Sequence, residues 1–373
     1  MSHPTPPPEV LEAHPLEVLD VETASLLQFS WVETVALHFS GASSLDTGDL
    51  GVREPSGRPH TTARVEAALA DMFHAEDAVM VRGSGTGAIR SSFFAAFDPG
   101  STILVHSSPV YDTTAVTIRA MGLVTSEADF HELDSLRPSD RLAGALVAHS
   151  RQLLSDHYDP GAVITRLKDL LGDKPVVVDD NYAVAKVKRI GVEHGADLST
   201  FSAFKLAGPE GVGVICGAKP LVDRIRNDNL SGGCQVQGHE AMATLRGLIS
   251  TPVLAAVQGR VANEVADRLE GGEIPGVCSA VSTNNAETIV VVRLDEPVAV
   301  AVIEAAARHG AAPHPVGAES RYELAPLVYR VSKSMLNQHP SWRDWLIRIN
   351  PNRAGADHII RVLAAAISEA RTA

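Results

Sequence analysis

The sequence of 373 residues is 45% hydrophobic and 21% charged, with 32 Lys and Arg against 45 Asp and Glu. This composition supplies a sizeable core and excludes intrinsic disorder for the body of the chain. The formal net charge of −13 and the lack of any basic run exclude nucleic-acid binding through a basic face.

The sequence also shows no signal for a membrane span, a signal peptide or a set of paired cysteines. No apolar run reaches the roughly 18 to 20 residues that span a bilayer, and the Pro-rich start at residues 1–8 lacks the regions of a signal peptide. The three cysteines are isolated, which excludes a disulfide framework and a cysteine zinc site. We therefore expect a soluble, cytoplasmic, globular protein that does not bind membranes.

The predicted elements begin with a helix and continue as an alternation of strands and helices. Helical periodicity runs from about residue 15 to residue 38, and a Gly- and Ser-rich loop follows over residues 41–60. Continuous apolar strands separated by helices then predict a mainly parallel sheet covered on both faces. The predicted strands are 78–81, 102–106, 143–148, 176–178 and 212–216, and the predicted helices are 65–73, 86–97, 113–121 and 163–171.

The pattern changes near residue 247, which predicts a boundary. Beyond it lie a long helix, a strand at 289–294, a helix at 298–309, a strand ending in Arg348 and a helix at 354–370. We predict an N-terminal tail and helical segment (1–50), a large domain (51–246) and a small C-terminal α+β domain (247–373).

The first predicted strand ends in a glycine-rich turn that leads directly into a helix. Glycines let the backbone approach a ligand closely, and a helix N-terminus attracts anions, so the turn predicts a phosphate site. The spacing also satisfies the dinucleotide pattern, although the next strand ends without the acidic ribose partner. A tight structural turn is the third interpretation. The turn reads Gly83-Ser84-Gly85-Thr86-Gly87-Ala88.

Two adjacent carboxylates, Asp179 and Asp180, follow the fully apolar strand 176–178. Burying carboxylates without a purpose is costly, and ligands of open α/β sheets bind at the carboxyl ends of the strands. We therefore predict that at least one of the two is functional, the alternative being that they cap the turn.

Lys205 lies among apolar residues and precedes a glycine-rich turn. Desolvation lowers the pKa of a lysine from its usual value of about 10.4 and makes the amine nucleophilic. Ser202-x-x-Lys205 also fits the motif of penicillin-recognising serine enzymes, but their companion motifs Ser-Asp-Asn and Lys-Thr-Gly do not occur. A surface lysine is the remaining alternative, and its apolar neighbours argue against it.

Three further signals are weaker. Tyr111, near a strand end, could stack on a planar ligand, although a tyrosine there more often only packs. Arg348 could bind a substrate carboxylate, although an arginine in a strand is more often a surface residue. The 15 histidines include no His-Glu-x-x-His motif, so we predict no metal site.

Taken together, these features resemble the fold-type I pyridoxal 5′-phosphate enzymes. The segment from Ser202 to Gly213 resembles the cofactor-lysine signature of class V aminotransferases, whereas Ser84-Gly85-Thr86 and Tyr111-Asp112-Thr113-Thr114 resemble the cystathionine branch. Asp180 stands 25 residues before Lys205, with Gly195-Ala196-Asp197 between them. The similarity covers residues from about 55 to 370 and is strongest for a bacterial aminotransferase-like subgroup.

The resemblance implies a fold and a role for each residue. The fold is α/β, a mainly parallel seven-stranded sheet between helices with a smaller C-terminal α+β domain. Lys205 would hold the cofactor as an internal aldimine and move the substrate α-proton. Asp180 would contact the pyridine nitrogen, or Asp179 if the register differs by one. The phosphate would bind Ser84, Gly85, Thr86 and Ser202, Tyr111 would stack on the ring, and Arg348 would bind the substrate carboxylate.

The implied function is a pyridoxal phosphate-dependent enzyme acting on a small amino acid, with an aminotransferase as the leading hypothesis. The alternative is a C–S lyase of a sulfur amino acid, and a serine amidase is the remote one. The chain departs from the family where reaction type is decided: His149-Ser150-Arg151-Gln152 replaces the usual Asn-Pro, and Phe204 replaces a His or Thr. No Tyr-x-Arg motif is found around Arg53 and Arg58. Relatives share active sites between subunits, which implies a homodimer or homotetramer.

Overall fold

The computed structural model describes residues 6–137, 139–231, 233–283, 289–316 and 320–372. Its helices are α1 (Val21–His38), α2 (His60–Met72), α3 (Ser84–Ala96), α4 (Asp112–Met121), α5 (Pro160–Leu171), α6 (Lys219–Asp228), α7 (Gly238–Glu270), α8 (Ala299–Arg308), α9 (Lys333–Gln338) and α10 (Ala356–Thr372). Its strands are β1 (Asp77–Arg82), β2 (Thr102–His106), β3 (Val124–Ala128), β4 (Leu142–Ala148), β5 (Val176–Asp179), β6 (Leu198–Ser202), β7 (Val212–Gly217), β8 (Val277–Ser282), β9 (Val290–Leu294), β10 (Leu327–Arg330) and β11 (Leu346–Asn350). Among the described residues, no helix is long and apolar enough to cross a membrane.

The described residues form two compact units. The larger contains Glu22–Ser150 and Tyr158–Val253, and the smaller contains residues 6–21, Arg151–His157 and residues 254–372. The segment 1–50 is thus divided between the units, because α1 belongs almost entirely to the larger one. The boundary near residue 253 lies inside the 33-residue helix α7.

The larger unit is built on a seven-stranded sheet of order β1-β7-β6-β5-β4-β2-β3. Strands β2 to β6 pair in parallel, and β7 pairs antiparallel with β1 and β6. The predicted fold class is therefore confirmed. Strands β3 and β6 carry no continuous apolar run, since they read Val-Thr-Ser-Glu-Ala and Leu-Ser-Thr-Phe-Ser, and so the residue pattern alone does not predict them.

The two faces of this sheet are covered by different helices. Val177 packs with Ile89 and Phe93 of α3 on one face, whereas Val178 packs with residues of α5 such as Ile164 on the other. Successive side chains of a strand point to opposite faces. The residues that follow Val178 therefore alternate between the α3 side and the α5 side.

The smaller unit has a four-stranded antiparallel sheet of order β10-β11-β9-β8. Its core joins β9 and β11 to α8, α10 and the C-terminal half of α7 through residues such as Val265, Val292, Val302, Ile349 and Leu363. Alternating apolar positions on the strands and amphipathic helices account for this core.

Candidate active site

The turn between β1 and α3 is compressed at its glycines. Gly83 has φ 98° and its N–H donates to the carbonyl of Gly211 at 2.8 Å. A Cβ on Gly87 would lie 1.9 Å from the carbonyl oxygen of Arg82, and one on Gly213 would lie 2.2 Å from that of Ser84. Only glycine fits these two positions, so β7 approaches the start of α3 closely. The first-turn N–H groups of α3 lack intrahelical partners and favour an anion.

Hydroxyl groups surround this helix N-terminus. The Oγ atoms of Ser84 and Ser202 are 2.5 Å apart, which places the end of β6 beside the first residue of α3. The hydroxyl of Thr86 donates to that of Thr113 on α4 at 3.2 Å. The structure thus brings together Ser84, Gly85, Thr86 and Ser202.

Asn181 connects the glycine turn to the carboxylate that precedes it. Its side-chain amide donates to Asp179 Oδ1 at 2.8 Å, and its carbonyl accepts the backbone N–H of Ser202 at 3.0 Å. A Cβ on Gly85 would lie 2.6 Å from Asn181 Nδ2 and 2.7 Å from Oδ1. The amide therefore fills the space that glycine leaves at position 85. Asn181 is not among the residues predicted from sequence, although it directly follows the aspartate pair.

The two aspartates have different surroundings. Asp180 is fully buried, with its Oδ1 2.7 Å from His149 Nδ1 and both carboxylate oxygens accepting the N–H of Gly191 at 3.1 and 3.2 Å. Asp179 is half-buried and accepts both the backbone and the side-chain N–H of Asn181. Burial raises the pKa of the Asp179 carboxyl, and hydrogen bonds from Asn181 and then the charge of Lys205 oppose that rise without cancelling it.

Lys205 lies on the short 3-10 helix Ala203–Leu206 that follows β6. Its Nζ atom is 3.3 Å from the centroid of the Tyr182 ring, so the amine rests on the aromatic face. Tyr182 has φ 68°, a left-handed conformation that tyrosine rarely adopts and that occurs preferentially at functional sites. Tyr182 is a second residue that is not among those predicted from sequence. Its position just after the end of β5 would have suggested a role, because ligands bind at the carboxyl ends of such strands.

Tyr111 and Arg348 lie in different units. Tyr111 directly precedes α4 in the larger unit, is 47% exposed, and its carbonyl accepts the N–H of Ala115 at 3.0 Å. Arg348 lies on β11 in the smaller unit, where its Nε donates to the carbonyl of Arg330 at 3.1 Å. The Arg348 guanidinium carbon is 4.4 Å from the Tyr329 ring centroid, so β10 holds this side chain within its own sheet.

A separate histidine cluster lies at the carboxyl ends of β2 and β3. Possible ligand atoms of His106, Asp129 and His131 lie within 4.8 Å of one another. The Nδ1 atom of His106 accepts the backbone N–H of Phe130 at 3.1 Å, and Nδ1 of His131 is 2.7 Å from Asp129 Oδ1. These hydrogen bonds use the Nδ1 atom of each histidine and stabilise the turn after β3.

Comparison with protein-family models gives two matches. The description "Aminotransferase class-V" matches residues 163–257, which include both aspartates and Lys205. The description "YhfS-like, C-terminal domain" matches residues 263–363 in the smaller unit.

The chain is also similar to individual proteins over most of its length. It is 44% identical over 361 residues to YhfS of Escherichia coli (strain K12), which covers 96% of this chain and 99% of that protein. It superimposes with a TM-score of 0.91 and 42% identity on the crystal structure of the pyridoxal-5′-phosphate dependent protein YhfS from Escherichia coli, covering 96% of this chain and 100% of the other. A carbon-sulfur lyase involved in aluminum resistance from Clostridium novyi NT shares the fold, with a TM-score of 0.69, 15% identity, and coverage of 94% and 90%.

Proposed function

This chain belongs to the YhfS family of fold-type I pyridoxal 5′-phosphate-dependent enzymes, and from that premise we propose that it is an aminotransferase acting on a small amino acid. The observation that carries the proposal is the position of the Lys205 amine, 3.3 Å from the Tyr182 ring. The charge of Lys205 also acts on the half-buried carboxyl of Asp179. A nucleophilic lysine amine and a carboxylate partner for the pyridine nitrogen are the groups that this cofactor uses.

The residues at the start of α3 fit the phosphate group of the cofactor. The open N–H groups of the first helical turn favour a dianion, and the paired hydroxyls of Ser84 and Ser202 supply further donors. Thr86, two residues after Ser84, adds a hydroxyl that donates a hydrogen bond to the hydroxyl of Thr113. In this proposal Ser84, Gly85, Thr86 and Ser202 bind the phosphate, as the resemblance implies.

The pyridine nitrogen is assigned to Asp179 in this proposal, rather than to Asp180. The side chain of Asp179 follows Val177 on the α3 side of the sheet, the side on which the phosphate site begins. Asp180 follows Val178 to the opposite side, where it has no exposed surface and its oxygens are engaged by His149 and Gly191. Asp180 would then act indirectly, by fixing the backbone at the end of β5.

Pyridoxal phosphate, when bound, withdraws electrons from the substrate carbon that loses its proton. Lys205 Nζ takes that proton from the substrate and returns it to another atom. For this step the Lys205 amine must be neutral and within reach of the substrate proton. The carboxylate of Asp179 balances the positive charge of a protonated pyridine ring. Tyr111 is proposed as the stacking residue, and Arg348, on β11 of the smaller unit, is proposed to bind the substrate carboxylate.

Transamination is preferred over elimination because the class V aminotransferase description matches the segment that carries Asp179 and Lys205. The lyases among the solved structures share the fold at 15–17% identity, and this likeness concerns the fold alone. A homodimer or homotetramer in the cytoplasm completes the proposal, and light scattering of the purified protein would measure its oligomeric state.

The test begins with the absorption spectrum of purified protein after pyridoxal phosphate is added. Wild type should develop the visible band of a lysine-bound cofactor, which borohydride abolishes by reduction. Lys205→Ala should not develop the band, and Lys219→Ala, which replaces an exposed lysine paired with Asp223, should behave as wild type. No band in wild type would refute the proposed cofactor site.

The reaction type is tested by products. Amino acids that change the band are incubated with and without a second keto acid. An aminotransferase forms a new amino acid only when the keto acid is present. Release of ammonia together with a thiol in its absence would instead establish the C–S lyase.

A further inference from the structure

A second lysine, Lys186, is buried close to Lys205. Lys186 is 3% exposed, whereas the basic residues that follow it, Lys188 and Arg189, are exposed. Lysine is among the residues that are rarely buried, because its charge loses hydration. The burial of this one lysine in a basic segment therefore calls for a role.

The position of Lys186 is set by two unusual backbone conformations. Tyr182 and Ala185 have φ 68° and φ 67°, although neither is glycine. The N–H of Lys186 donates to the carbonyl of Ala183 at 3.0 Å, and the N–H of Ala183 donates to that of Asp180 at 2.9 Å. These turns fold the segment back on itself. Strained residues persist where the surrounding structure imposes them, most often at functional sites.

The amines of both lysines lie over the same aromatic ring. Lys186 Nζ is 5.6 Å from the Tyr182 ring centroid, and Lys205 Nζ is 3.3 Å from it, so the two nitrogens lie within about 9 Å of each other. A cation within about 6 Å of a ring centroid is attracted by the ring quadrupole. The two amines thus share one aromatic ring, Lys186 at the outer limit of this range and Lys205 directly over the ring.

We propose that Lys186 is a positioning residue for the lysine–cofactor chemistry: its ammonium group fixes the Tyr182 ring, and the ring orients the amine of Lys205. This inference rests on the proposed function. Without Lys186, the Tyr182 ring loses one of its contacts and the Lys205 amine samples more orientations. The neutral amine of Lys205 would then condense more slowly with the cofactor aldehyde, a step in which a C=N bond replaces the C=O bond and the aldehyde oxygen leaves as water with the two amine hydrogens.

The experiment compares Lys186→Met, Lys186→Arg and the matched surface control Lys188→Met. The rate of covalent attachment of pyridoxal phosphate to cofactor-free protein is followed by absorbance. Peptide mass spectrometry after borohydride reduction identifies the modified lysine, and thermal unfolding of the cofactor-free protein is measured in parallel.

We expect Lys186→Met to slow attachment to Lys205 about tenfold, the scale of one buried cation–π contact. Thermal unfolding shows whether Lys186→Met also lowers Tm, and the attachment rate of Lys186→Arg separates positioning of the ring from packing. Lys186→Arg should restore the rate to within about threefold of wild type, since guanidinium also binds the ring. Lys188→Met should match wild type.

Two results would overturn the inference while leaving the proposed function intact. One is a wild-type attachment rate in Lys186→Met. The other is a slow rate accompanied by a lower Tm and no rescue by arginine, which would mark a structural role. If wild type itself takes up no cofactor at Lys205, the proposed function fails and this inference fails with it.

Discussion

Replacing Gly85 by alanine tests whether Asn181 organises the candidate site. The new Cβ would lie 2.6 Å from Asn181 Nδ2 and 2.7 Å from Oδ1, closer than real Cβ contacts occur. The amide must therefore move. Its movement breaks the 2.8 Å hydrogen bond to Asp179 and the 3.0 Å hydrogen bond from the N–H of Ser202.

The expected cost follows from those two hydrogen bonds. Each contributes about 1 kcal/mol, and more when one partner is a carboxylate or is left buried and unsatisfied, so the loss is about 3 kcal/mol. Alanine in a helix regains roughly 1 kcal/mol relative to glycine. The free energy of unfolding should therefore fall by about 2 kcal/mol. Asn181 would also no longer orient the Asp179 carboxylate.

Urea unfolding of the cofactor-free protein measures this change, and equilibrium titration with pyridoxal phosphate measures the effect on the site. The matched control is Gly233→Ala, whose Cβ would meet no atom within 4 Å and which should leave both measurements unchanged. If Gly85→Ala unfolds at the same urea concentration as the control and binds the cofactor equally well, the role given to Asn181 is wrong.

Two further predictions concern Asp179 and Glu66, two carboxyls whose pKa is raised by burial. Burial raises the pKa of Asp179 above its ordinary 3.8, so the folded protein holds that proton more tightly and loses stability as pH rises through the folded pKa. Cofactor-free Asp179→Asn should therefore unfold at a higher urea concentration than wild type at pH 8, and the difference should disappear near pH 4. The same variant should lose cofactor-dependent activity. A variant that is less stable than wild type at pH 8 would contradict this reasoning. Arg58 Nε lies 2.6 Å from Glu66 Oε2 in a buried pair, so Arg58→Met should lower the free energy of unfolding by about 3 kcal/mol at pH 7. Arg53→Met, which removes an exposed partner of Asp49 at 3.8 Å, should cost under about 1 kcal/mol, and equal effects of the two arginine variants would refute the argument.

Local patterns were sufficient for much of the fold. The run 176–178 is apolar at every position because both faces of its strand are covered, one by α3 and one by α5. The glycine turn before α3 is recognisable because close backbone approach permits no side chain. Strands β3 and β6 escape the same reasoning: β3 is a largely exposed edge strand, and β6 is buried yet carries three hydroxyl residues.

The aspartate pair shows what local sequence patterns do not predict. Adjacent residues of a strand point to opposite faces of the sheet. The local sequence therefore shows that carboxylates follow the strand but not which of the two lies on the α3 face. Packing of Val177 and Val178 against different helices decides that Asp179 lies beside Asn181 and that Asp180 lies under His149.

The α/β class, the glycine turn, the aspartate pair and Lys205 are recognisable without a structure, because each depends on residues that are close neighbours in the chain. Which side chains meet Lys205 depends instead on how distant segments fold together. Tyr182 and Lys186 reach it through left-handed turns and through the pairing of β5 with β6, which brings together residues about 20 positions apart. Such contacts depend on strand register and backbone conformation, and neither is encoded in hydrophobic periodicity.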